Sequence, residues 1–477
     1  MTQTQLSRLG LFDAKVPRYT SYPTAPHFSG DVTPSLFGDW IEDIPEGSRI
    51  SLYLHVPFCR RLCWFCACRT QGTATLGPVE SYVETLGAEL DLLAARLPRG
   101  VTLSRLHWGG GTPTLLGSDL MRGLIDRIRG VVDLAEGAEF SVEIDPNEID
   151  AERLDVLTAG GMTRASIGVQ DFNDEIQTTI GRIQGYDVTR RAVDLIRERG
   201  VTSLNADILF GLPHQSRARI TETVQKLLSL TPDRVALYGY AHVPWMAKRQ
   251  QLIPSDALPT PSERLDLFDT ARQLFAWDGY CDIGIDHFAT PEDGLSIAQK
   301  TGKLRRNFQG YTDDVSGILV GIGASSISRF PQGYAQNAPA TSAHTAAIRA
   351  GQFSTTRGHM MTAEDRLRAR MIEMIMCDFR IRSEELITRH GVTAERLNGL
   401  YRAVNTRFEG LLEHTEEGLF IPADCRPLTR MIAQSFDAYE LSKAGHSSAI
   451  SQLVGGAGRS KTRLPGAALL YRQIEGR

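Results

Sequence analysis

The stretch His55-Val-Pro-Phe-Cys59-Arg-Arg-Leu-Cys63-Trp-Phe-Cys66-Ala-Cys68 overlaps the end of a β-rich run and holds four of the seven cysteines of the chain. Such clustering in a reducing compartment favours metal ligation over a disulfide framework. The three- and two-residue spacings let one loop wrap three thiolates around a corner of an iron–sulfur cube, whereas zinc sites usually draw on two separated pairs. The stretch therefore predicts an iron–sulfur site on a loop that follows a strand.

Three close cysteines leave the predicted cluster one ligand short. A [4Fe-4S] cluster commonly takes four thiolates, and the sequence has no second cysteine-rich loop, so one iron keeps an open position. Cys68 would strain the loop around one cube because it lies only two residues from Cys66, so we expect it outside the ligand set. On spacing alone, a structural zinc knot and a redox thiol pair stay open as alternatives. Cys281, Cys377 and Cys425 are expected to be inert buried thiols.

The composition of the whole chain is that of a folded globular protein. Its 477 residues are 42% hydrophobic and 23% charged, which excludes a mainly disordered or coiled-coil chain. The 52 basic and 56 acidic residues give a net charge of −4, so binding to duplex nucleic acid is disfavoured. No apolar run approaches the ~18 residues that cross a bilayer, and the amino terminus lacks the order of a signal peptide. We expect a cytoplasmic protein with no membrane or nucleic-acid partner.

Around the cysteine stretch, short β-rich runs alternate with amphipathic segments from about residue 50 to 330. The alternation indicates βα units, and it predicts an α/β fold with a complete or partial (β/α) barrel. The expected strands are 50–56, 104–108, 139–144, 164–169, 203–210, 234–240 and 281–285. The expected helices are 78–97, 118–132, 187–199, 216–229 and 261–276.

The rest of the chain divides into flanking regions. We expect an amino-terminal arm at 1–48, a barrel domain at 49–355, a smaller and mainly helical domain at 356–445, and a flexible basic tail at 446–477. In the smaller domain the pattern predicts helices at 362–379, 383–390, 393–407 and 425–442, with a hairpin at 410–421.

Polar and glycine residues follow several of the predicted strands, where the loops of a barrel collect function. Gly109-Gly110-Gly111-Thr112 comes after one strand and Glu143 ends another. Gln170, Arg182 and Asp207 follow at or beyond the later strands. Taken alone, the glycines could form a tight turn and the polar residues could pair among themselves at the rim. Together they predict a polar ring above the barrel.

The Cys59-xxx-Cys63-xx-Cys66 spacing resembles the defining motif of radical S-adenosylmethionine (SAM) enzymes. In that family the amino and carboxylate groups of SAM occupy the open iron, and reduction cleaves SAM to a 5′-deoxyadenosyl radical. The glycine-rich segment resembles the one that holds the amino group of SAM in the family. The resemblance implies a partial, TIM-like barrel.

Further motifs narrow the resemblance to the oxygen-independent coproporphyrinogen III oxidases. The segment Arg18-Tyr19-Thr20-Ser21-Tyr22-Pro23-Thr24 is similar to the amino-terminal signature of that family, which generic radical SAM barrels lack. Other matching segments are Cys66-Ala67-Cys68, 240–244, 286–289, 306–311, 321–328 and 334–337. The resemblance covers about 17–445 and says nothing about the tail.

The resemblance assigns roles to individual residues. Cys59, Cys63 and Cys66 would ligate the [4Fe-4S] cluster, and with Tyr53 they form the expected catalytic set. Two SAM molecules are implied. The first would meet Tyr53, Gly110 and Glu143, and the second would meet Phe65, Gly111, Thr112, Gln170, Arg182, Asp207, Ala241 and Ile327.

The resemblance also implies the reaction and the partners. The ring A and ring B propionates of coproporphyrinogen III would become vinyl groups, giving protoporphyrinogen IX without O2. An unidentified flavodoxin- or ferredoxin-like donor and a separate acceptor would carry electrons, and the protein would act as a monomer. The alternatives are a radical SAM haem chaperone or haem-trafficking homologue and a radical methyltransferase that opens haem.

Basic residues are expected to recognise the four substrate carboxylates, because Arg pairs well with carboxylate oxygens. Arg18, Arg305 and Arg306 are the candidates, although a surface-charge role is equally open for each. Arg60-Arg61 beside the cluster loop departs from the family pattern, and it could be solvated, tune the cluster potential or attract an anionic substrate. The arm with Tyr19 and Tyr22 is expected to cover the pocket as a lid.

Overall fold

The structure is a computed structural model that describes residues 1–439 and the backbone of residues 446–448. Within residues 1–439, none of the helices is both long enough and apolar enough to span a membrane. The predicted basic tail lies outside the described residues except for its first three positions. Those three form a short strand that pairs with the amino-terminal arm.

The amino-terminal arm has little regular structure but packs into the core. Its elements are helix α1 (Gln3–Arg8), strand β1 (Lys15–Pro17), a 3-10 helix (Ala25–His27) and helix α2 (Pro34–Glu42). Val16, Tyr19 and Tyr22 are buried among residues of the barrel and of the carboxyl-terminal helices. The arm is therefore part of the folded unit, because its apolar side chains lie in the same core.

Six parallel strands alternate with helices and form the barrel, as the sequence predicts. The strands from residue 49 to 239 are β2 (Arg49–Val56), β3 (Phe58–Cys59), β4 (Gln71–Gly72), β5 (Thr102–Gly110), β6 (Asp133–Ile144), β7 (Arg164–Gln170), β8 (Ser203–Phe210) and β9 (Arg234–Gly239). The helices are α3 (Gly77–Ala94), α4 (Ser118–Val131), α5 (Ala151–Ala159), α6 (Asp174–Thr179), α7 (Tyr186–Glu198), α8 (Arg217–Leu228) and α9 (Pro261–Trp277). The order β9-β8-β7-β6-β5-β2 is parallel throughout, and β3 and β4 form a separate parallel pair.

Further strands extend both edges, and the sheet has 12 strands in all. The additions are antiparallel except for the one that lies beside β2. After α9 come β10 (Cys281–Ile283), β11 (His287–Ala289), α10 (Gly294–Lys300), β12 (Arg305–Asn307), β13 (Gly310–Thr312), β14 (Leu319–Ile322), β15 (Ile327–Phe330), β16 (Gly333–Asn337), α11 (Thr341–Arg349) and β17 (Thr355–Met360). Strand β14 lies parallel to β2, and β15, β16 and β17 follow it antiparallel.

One sequence prediction changes in this region, and the sheet continues past a predicted domain boundary. The run at 281–285 is one arm of an antiparallel hairpin with β11, which pairs with β9, and it is not a further βα unit. Gly284 has a positive φ of 55° and ends the strand early, because that conformation belongs to a turn. The predicted domain boundary at 355 falls inside β17, whose pairing with β16 carries the sheet to Met360.

The carboxyl-terminal region is mainly helical. It contains α12 (Ala363–Asp378), β18 (Arg380–Arg382), α13 (Ser383–His390), α14 (Ala394–Arg407), β19 (Glu413–Thr415), β20 (Gly418–Phe420), a 3-10 helix (Ala423–Leu428), α15 (Thr429–Gln434) and β21 (His446–Ser448). Helix α12 begins with a capping box at Thr362 and Asp365. The predicted helix 425–442 is wrong in extent: Pro427 lacks the N–H that an α-helix needs, so a 3-10 helix comes first and α15 ends at residue 434.

Candidate active site

A cavity of about 600 Å³ opens at the carboxyl ends of the barrel strands. Its wall includes the cysteine loop, the ends of β5 to β9, and segments from outside the barrel, namely the arm, the β12–β13 hairpin and helix α15. Loops at this end of parallel strands carry function in barrel proteins. The cavity is therefore the candidate active site.

The cysteine loop is held in place at its two ends and in its middle. Its first and last residues form the β3–β4 pair, and the N–H of Thr73 donates to the carbonyl of Cys59 at 3.1 Å. In the middle, the N–H of Trp64 donates to the carbonyl of Ile180 at 2.9 Å. Cys59, Cys63, Cys66 and the neighbouring Cys68 all line the cavity. The loop therefore presents its thiols to the cavity from a fixed backbone.

Two residues that the sequence did not single out secure the far side of the loop. Gln250 donates through Nε2 to the carbonyl of Phe65 at 2.7 Å and to that of Ala241 at 2.9 Å. Arg249 donates to the carbonyl of Cys68 at 3.3 Å. Both lie in a 3-10 helix after β9, where no periodic pattern marks them. They join the cysteine loop to the strand ends on the other side of the cavity.

The glycines after β5 are needed because site residues leave no room for a side chain. Gly110 has a φ of 113°, and a Cβ there would come within 2.6 Å of the His55 ring. A Cβ on Gly111 would come within 2.5 Å of the carbonyl oxygen of Phe58 and 3.0 Å of the Cys59 Sγ. The strand itself runs through Gly110, two residues further than predicted, because it pairs with β2 up to Val56. The glycine segment is therefore packed directly against the cysteine loop.

Glu143 forms a partly exposed polar group with its neighbours. Its Oε2 accepts from the N–H of Gly110 at 3.0 Å, and its Oε1 lies 3.3 Å from His107 Nε2. Burial would raise the pKa of Glu143, but the hydrogen bond with His107, the charge of that ring and the Gly110 N–H together lower it below its ordinary value. The Tyr53 ring stacks on His107 with centroids 5.6 Å apart, and its hydroxyl lies 2.9 Å from His55 Nδ1. Glu143 is therefore held as a carboxylate.

Arg182 and Asp207 line the same cavity as Glu143. Arg182 donates from Nη2 to the carbonyl of Gly168 at 2.9 Å and from Nη1 to the Cys63 Sγ at 3.5 Å, while its buried Nε has no partner. Asn205 donates to Asp207 at 2.8 Å, yet burial and the nearby charge of Glu143 raise the pKa of Asp207 to about 6. A guanidinium with an unpartnered N–H beside a polar cavity suits an anionic or hydroxyl-bearing ligand.

The donor set fits the group that the sequence predicts. Within the described residues, no three His, Cys, Asp or Glu side chains lie close enough to share a single metal ion. A cube of four irons does not require that convergence, because each thiolate binds a different iron. Three thiols on one loop, beside a carboxylate and an unpartnered Arg182 Nε, match a [4Fe-4S] cluster with a zwitterionic ligand at its open iron.

The structure gathers most, but not all, of the predicted site residues. Those lining the cavity are Cys59, Cys63, Cys66, Phe65, Gly110, Gly111, Thr112, Glu143, Gln170, Arg182, Asp207 and Ala241. Tyr53 and Ile327 are not among the described residues that line it. Tyr53 lies beneath Glu143 behind His107, and Ile327 begins β15, two strands from β2 along the sheet.

Only two of the three candidate arginines line the cavity. Arg18 and Arg306 line the cavity, whereas Arg305 points away and donates to the carbonyls of Gly302 and Leu304. Successive residues of a strand face opposite sides, so only one of the pair can face the cavity. Arg430 also lines the cavity and was missed, because nothing in the sequence of α15 marks it. Of the Arg60-Arg61 pair, only Arg61 lines the cavity.

Comparisons with known proteins agree with these observations. Residues 53–227 match the model of the radical SAM superfamily. The chain is 65% identical over 448 residues to the oxygen-independent coproporphyrinogen III oxidase of Paracoccus denitrificans, covering 94% of this chain and 99% of that protein. It is 57% identical to a protein of that name from Cereibacter sphaeroides, with coverage of 92% and 98%.

A solved structure gives the same result for the fold. The coproporphyrinogen III oxidase of Escherichia coli, described as a radical SAM enzyme, superposes with a TM-score of 0.85 at 35% identity. The match covers 89% of this chain and 98% of that one, so it includes the arm and the carboxyl-terminal region as well as the barrel. The relatives do not favour the alternative of a haem-trafficking protein.

Proposed function

The chain belongs to the family of oxygen-independent coproporphyrinogen III oxidases, which are radical SAM enzymes, and we propose on that premise that it converts coproporphyrinogen III to protoporphyrinogen IX. The propionates of rings A and B would each lose CO2 and become vinyl groups, without O2. One observation carries the proposal: the relatives match over nearly the full length of both chains, including the segments outside the barrel that line the cavity.

The cysteine loop would hold the cofactor. Cys59, Cys63 and Cys66 are the ligands we propose for the [4Fe-4S] cluster, and Cys68 is left outside the set. When bound, the cluster and SAM supply a primary carbon radical, which can take a hydrogen atom from a propionate carbon that no side-chain base could deprotonate. The backbone bonds at Trp64 and Thr73 keep the loop in place.

The first SAM molecule would be positioned by the glycine segment and Glu143. The carboxylate of Glu143 is suited to an ammonium group or to ribose hydroxyls, because its charge is retained and its Oε1 faces the cavity beside His107. The backbone of Gly110 lies against the same carboxylate. Tyr53 acts through His107, on which it stacks, so we propose it as a positioning residue.

The second SAM molecule that the family implies would lie against the opposite wall. Phe65, Gly111, Thr112, Gln170, Arg182, Asp207 and Ala241 line that wall, which supports the proposal. The unpartnered Nε of Arg182 offers one donor, and Asp207 offers an acceptor with a pKa of about 6. Ile327 is the one predicted contact that lies away from this wall.

The protein would act as a monomer with external redox partners. One chain supplies the arm, the barrel and the carboxyl-terminal residues that enclose the cavity, so a second copy is not needed to complete it. The electron donor would be a flavodoxin- or ferredoxin-like protein, with a separate acceptor for the electron left after loss of CO2. All seven cysteines are free, as expected in the reducing cytoplasm.

The test is anaerobic turnover by the reconstituted protein. Coproporphyrinogen III, SAM and a reductant should give protoporphyrinogen IX with about two CO2 and about two 5′-deoxyadenosine per product, because two propionates react in turn. Product formation without consumption of SAM, or SAM cleavage without any porphyrinogen product, would contradict the proposed function.

A further inference from the structure

The turn that follows β9 exposes large apolar side chains. We call residues 243–252 the outer turn, and it ends in the 3-10 helix Lys248–Leu252. Trp245 is 61% exposed, Met246 is 71% exposed and Leu252 is 59% exposed. A single exposed apolar residue is ordinary, but three on one short segment indicate a surface that contacts another molecule.

The other face of the outer turn is bonded to the cysteine loop. Arg249 donates to the carbonyl of Cys68 at 3.3 Å, and Gln250 donates to the carbonyl of Phe65 at 2.7 Å. Arg249 and Gln250 line the cavity, whereas the three exposed apolar side chains are not among the described residues that line it. A molecule that binds the exposed face would therefore lie next to the loop that carries the proposed cluster ligands, but outside the cavity.

The surroundings of the outer turn are basic, although the whole chain has a net charge of −4. Residues 59–77 and 240–252 together contain four arginines and one lysine, and they contain no acidic residue. Within residues 1–439, only Arg60 of these five forms an ion pair, with Glu148 at 3.8 Å. Arg61, Arg69 and Lys248 are exposed. A surface with this charge attracts an acidic partner and steers its approach.

The proposed reaction requires an external electron at the cysteine loop. Each SAM takes up one electron when its C–S bond breaks to give methionine and the 5′-deoxyadenosyl radical, and the donor loses that electron. Porphyrinogen and SAM would occupy the cavity, so the donor must approach the loop from outside it. The tail beyond residue 448 has five basic residues and one acidic residue in its sequence, so its charge does not suit the basic surface.

We propose that the outer turn is the docking surface for the electron donor, and that the donor is an acidic, flavodoxin-like protein. The inference rests on the proposed function and identifies the surface and the kind of donor. Trp245 and Met246 favour a flavoprotein, because an aromatic ring and a thioether both make favourable contacts with the apolar edge of a flavin. A small apolar patch beside positive charges suits a transient redox complex, which buries less than about 1,200 Å².

The first measurement is calorimetric binding of an acidic flavodoxin to the reconstituted holoprotein at low and high salt. Trp245→Ala should weaken binding about tenfold, because exposed aromatic residues are common anchors of interfaces. Lys248→Glu should weaken binding about tenfold at low salt and much less at high salt, because salt screens the reversed charge.

Trp277→Ala and Lys226→Glu are the matched controls. Trp277 is 79% exposed and is the last residue of α9, and Lys226 lies in the last turn of α8. These helices return the chain to the amino ends of strands, which lie at the opposite end of the sheet from the cysteine loop. Both controls should leave flavodoxin binding unchanged.

The second measurement is turnover with two reductants, which separates docking from catalysis. With reduced flavodoxin, Trp245→Ala and Lys248→Glu should each raise the KM for flavodoxin about tenfold. With dithionite, a small reductant that needs no docking surface, both variants should match the wild type. Their affinity for coproporphyrin III should also be unchanged, because neither side chain lines the cavity.

Four results would overturn the inference. They are failure of the wild type to bind flavodoxin, unchanged binding in both variants of the outer turn, an equal loss of turnover with dithionite, and an equal loss of coproporphyrin III affinity. The last result would make the outer turn part of the substrate site. Binding of an acidic ferredoxin in place of flavodoxin would overturn the choice of donor. Wild-type turnover of coproporphyrinogen III with dithionite separately decides the proposed function.

Discussion

The two ends of the cavity differ in how far their polar groups are already paired. At the cofactor end, which comprises the cysteine loop, Glu143 and Arg182, the carboxylate bonds Gly110 and the guanidinium bonds Gly168 within the barrel, and of these two side chains only the Arg182 Nε has no partner. Three further residues that line the cavity, Arg18, Arg306 and Arg430, form what we call the arginine end. There Arg306 has two buried N–H groups without partners, and its neighbours come from outside the barrel. A preorganised end suits a cofactor that the whole superfamily shares, whereas an end with unmet hydrogen bonds suits a ligand that completes it.

This difference indicates which segments of the chain determine specificity for the substrate. The barrel supplies strand ends and glycines that can hold the cofactors, and the added segments supply the charges that can select a polycarboxylate. If this division is correct, substitutions at one end should leave ligand binding at the other end intact. Substitutions at distant sites usually have additive effects, and each end is expected to bind its own ligand. Binding measurements with the two ligands can therefore test the division.

The largest expected effect is at the cysteine loop. Replacing Cys59, Cys63 or Cys66 by Ser should abolish both the cluster absorbance and turnover, because each thiolate would bind a separate iron. Iron content and anaerobic activity measure the loss. Porphyrin affinity should be retained in the same variants, and Cys281→Ser, which lies outside the loop, should keep both iron and activity. Loss of porphyrin binding in the cysteine variants would contradict the idea that the two ends bind their ligands independently.

The next effect is at Glu143. Glu143→Gln keeps the shape of the side chain but removes the charge that His107 and the Gly110 N–H stabilise. We expect the affinity for SAM to fall about 10- to 100-fold, as when one partner of a charge-assisted hydrogen bond is removed. Equilibrium binding of SAM to the reconstituted variant measures this loss. Unchanged SAM affinity, or an equal fall in porphyrin affinity, would contradict the placement of Glu143 at the cofactor end.

A smaller effect is expected where the arm meets the carboxyl-terminal region. The Tyr19 hydroxyl donates to Asp437 at 2.9 Å, and the residues on either side of Tyr19 line the cavity. Tyr19→Phe removes one hydrogen bond worth ~1 kcal/mol, so porphyrin affinity should fall about fivefold while SAM affinity stays the same. Tyr401→Phe is the control, because its hydroxyl contacts Ser383 in the carboxyl-terminal region. Equal effects of the two variants on porphyrin binding would mean that Tyr19 acts only on stability.

Most of the barrel could be predicted from the sequence because its strands are buried on both faces. Ser203–Phe210 forms a strand with the predicted bounds, and its apolar residues lie in the core. The run at 281–285 has the same composition, but its antiparallel pairing depends on a partner that local sequence does not specify. The helix predicted at 425–442 failed because the periodicity was counted through Pro427.

Some residues of the candidate site could likewise be predicted from the sequence, and others could not. Glu143 could be found because it lies next to the end of an apolar strand, and Asp207 because it is a charged residue within one. Both line the cavity at the carboxyl ends of the parallel strands. Arg305 and Arg306 could not be separated, since only the register of the hairpin decides which one faces the cavity. Arg430 and Gln250 carry no local signal at all, because their roles depend on contacts with segments far away in the chain.

The smallest effect on turnover is expected at Glu89, which resembles Glu143 in being a carboxyl group near a histidine but is fully buried, whereas the Glu143 side chain is partly exposed. Its Oε2 accepts from the N–H of Gly323 at 2.7 Å and lies 3.4 Å from His344 Nε2, and its Oε1 accepts from Asn337 at 2.7 Å. Complete burial raises its pKa to about 8, so at neutral pH it is a carboxylic acid. Glu143 has a partly exposed side chain and the charge of His107 beside it, and it is a carboxylate. Burial alone therefore does not make a carboxyl group part of the site.

This contrast gives a prediction for stability against pH. The pKa of Glu89 is higher in the folded state than in the unfolded state, so stability should fall as pH rises toward about 8 and then become constant. Glu89→Gln imitates the protonated side chain and should remove that fall. Burial lowers the pKa of His344 to about 4 in the folded state, whereas its unfolded value is about 6.5. Above about pH 6.5 His344 is therefore neutral in both states, and within this pair only Glu89 makes stability depend on pH. Urea unfolding of both proteins between about pH 6.5 and pH 8 measures it, with the two curves diverging by on the order of 1–2 kcal/mol. Parallel curves, or loss of turnover in Glu89→Gln, would mean that the two carboxyl groups do not differ as described.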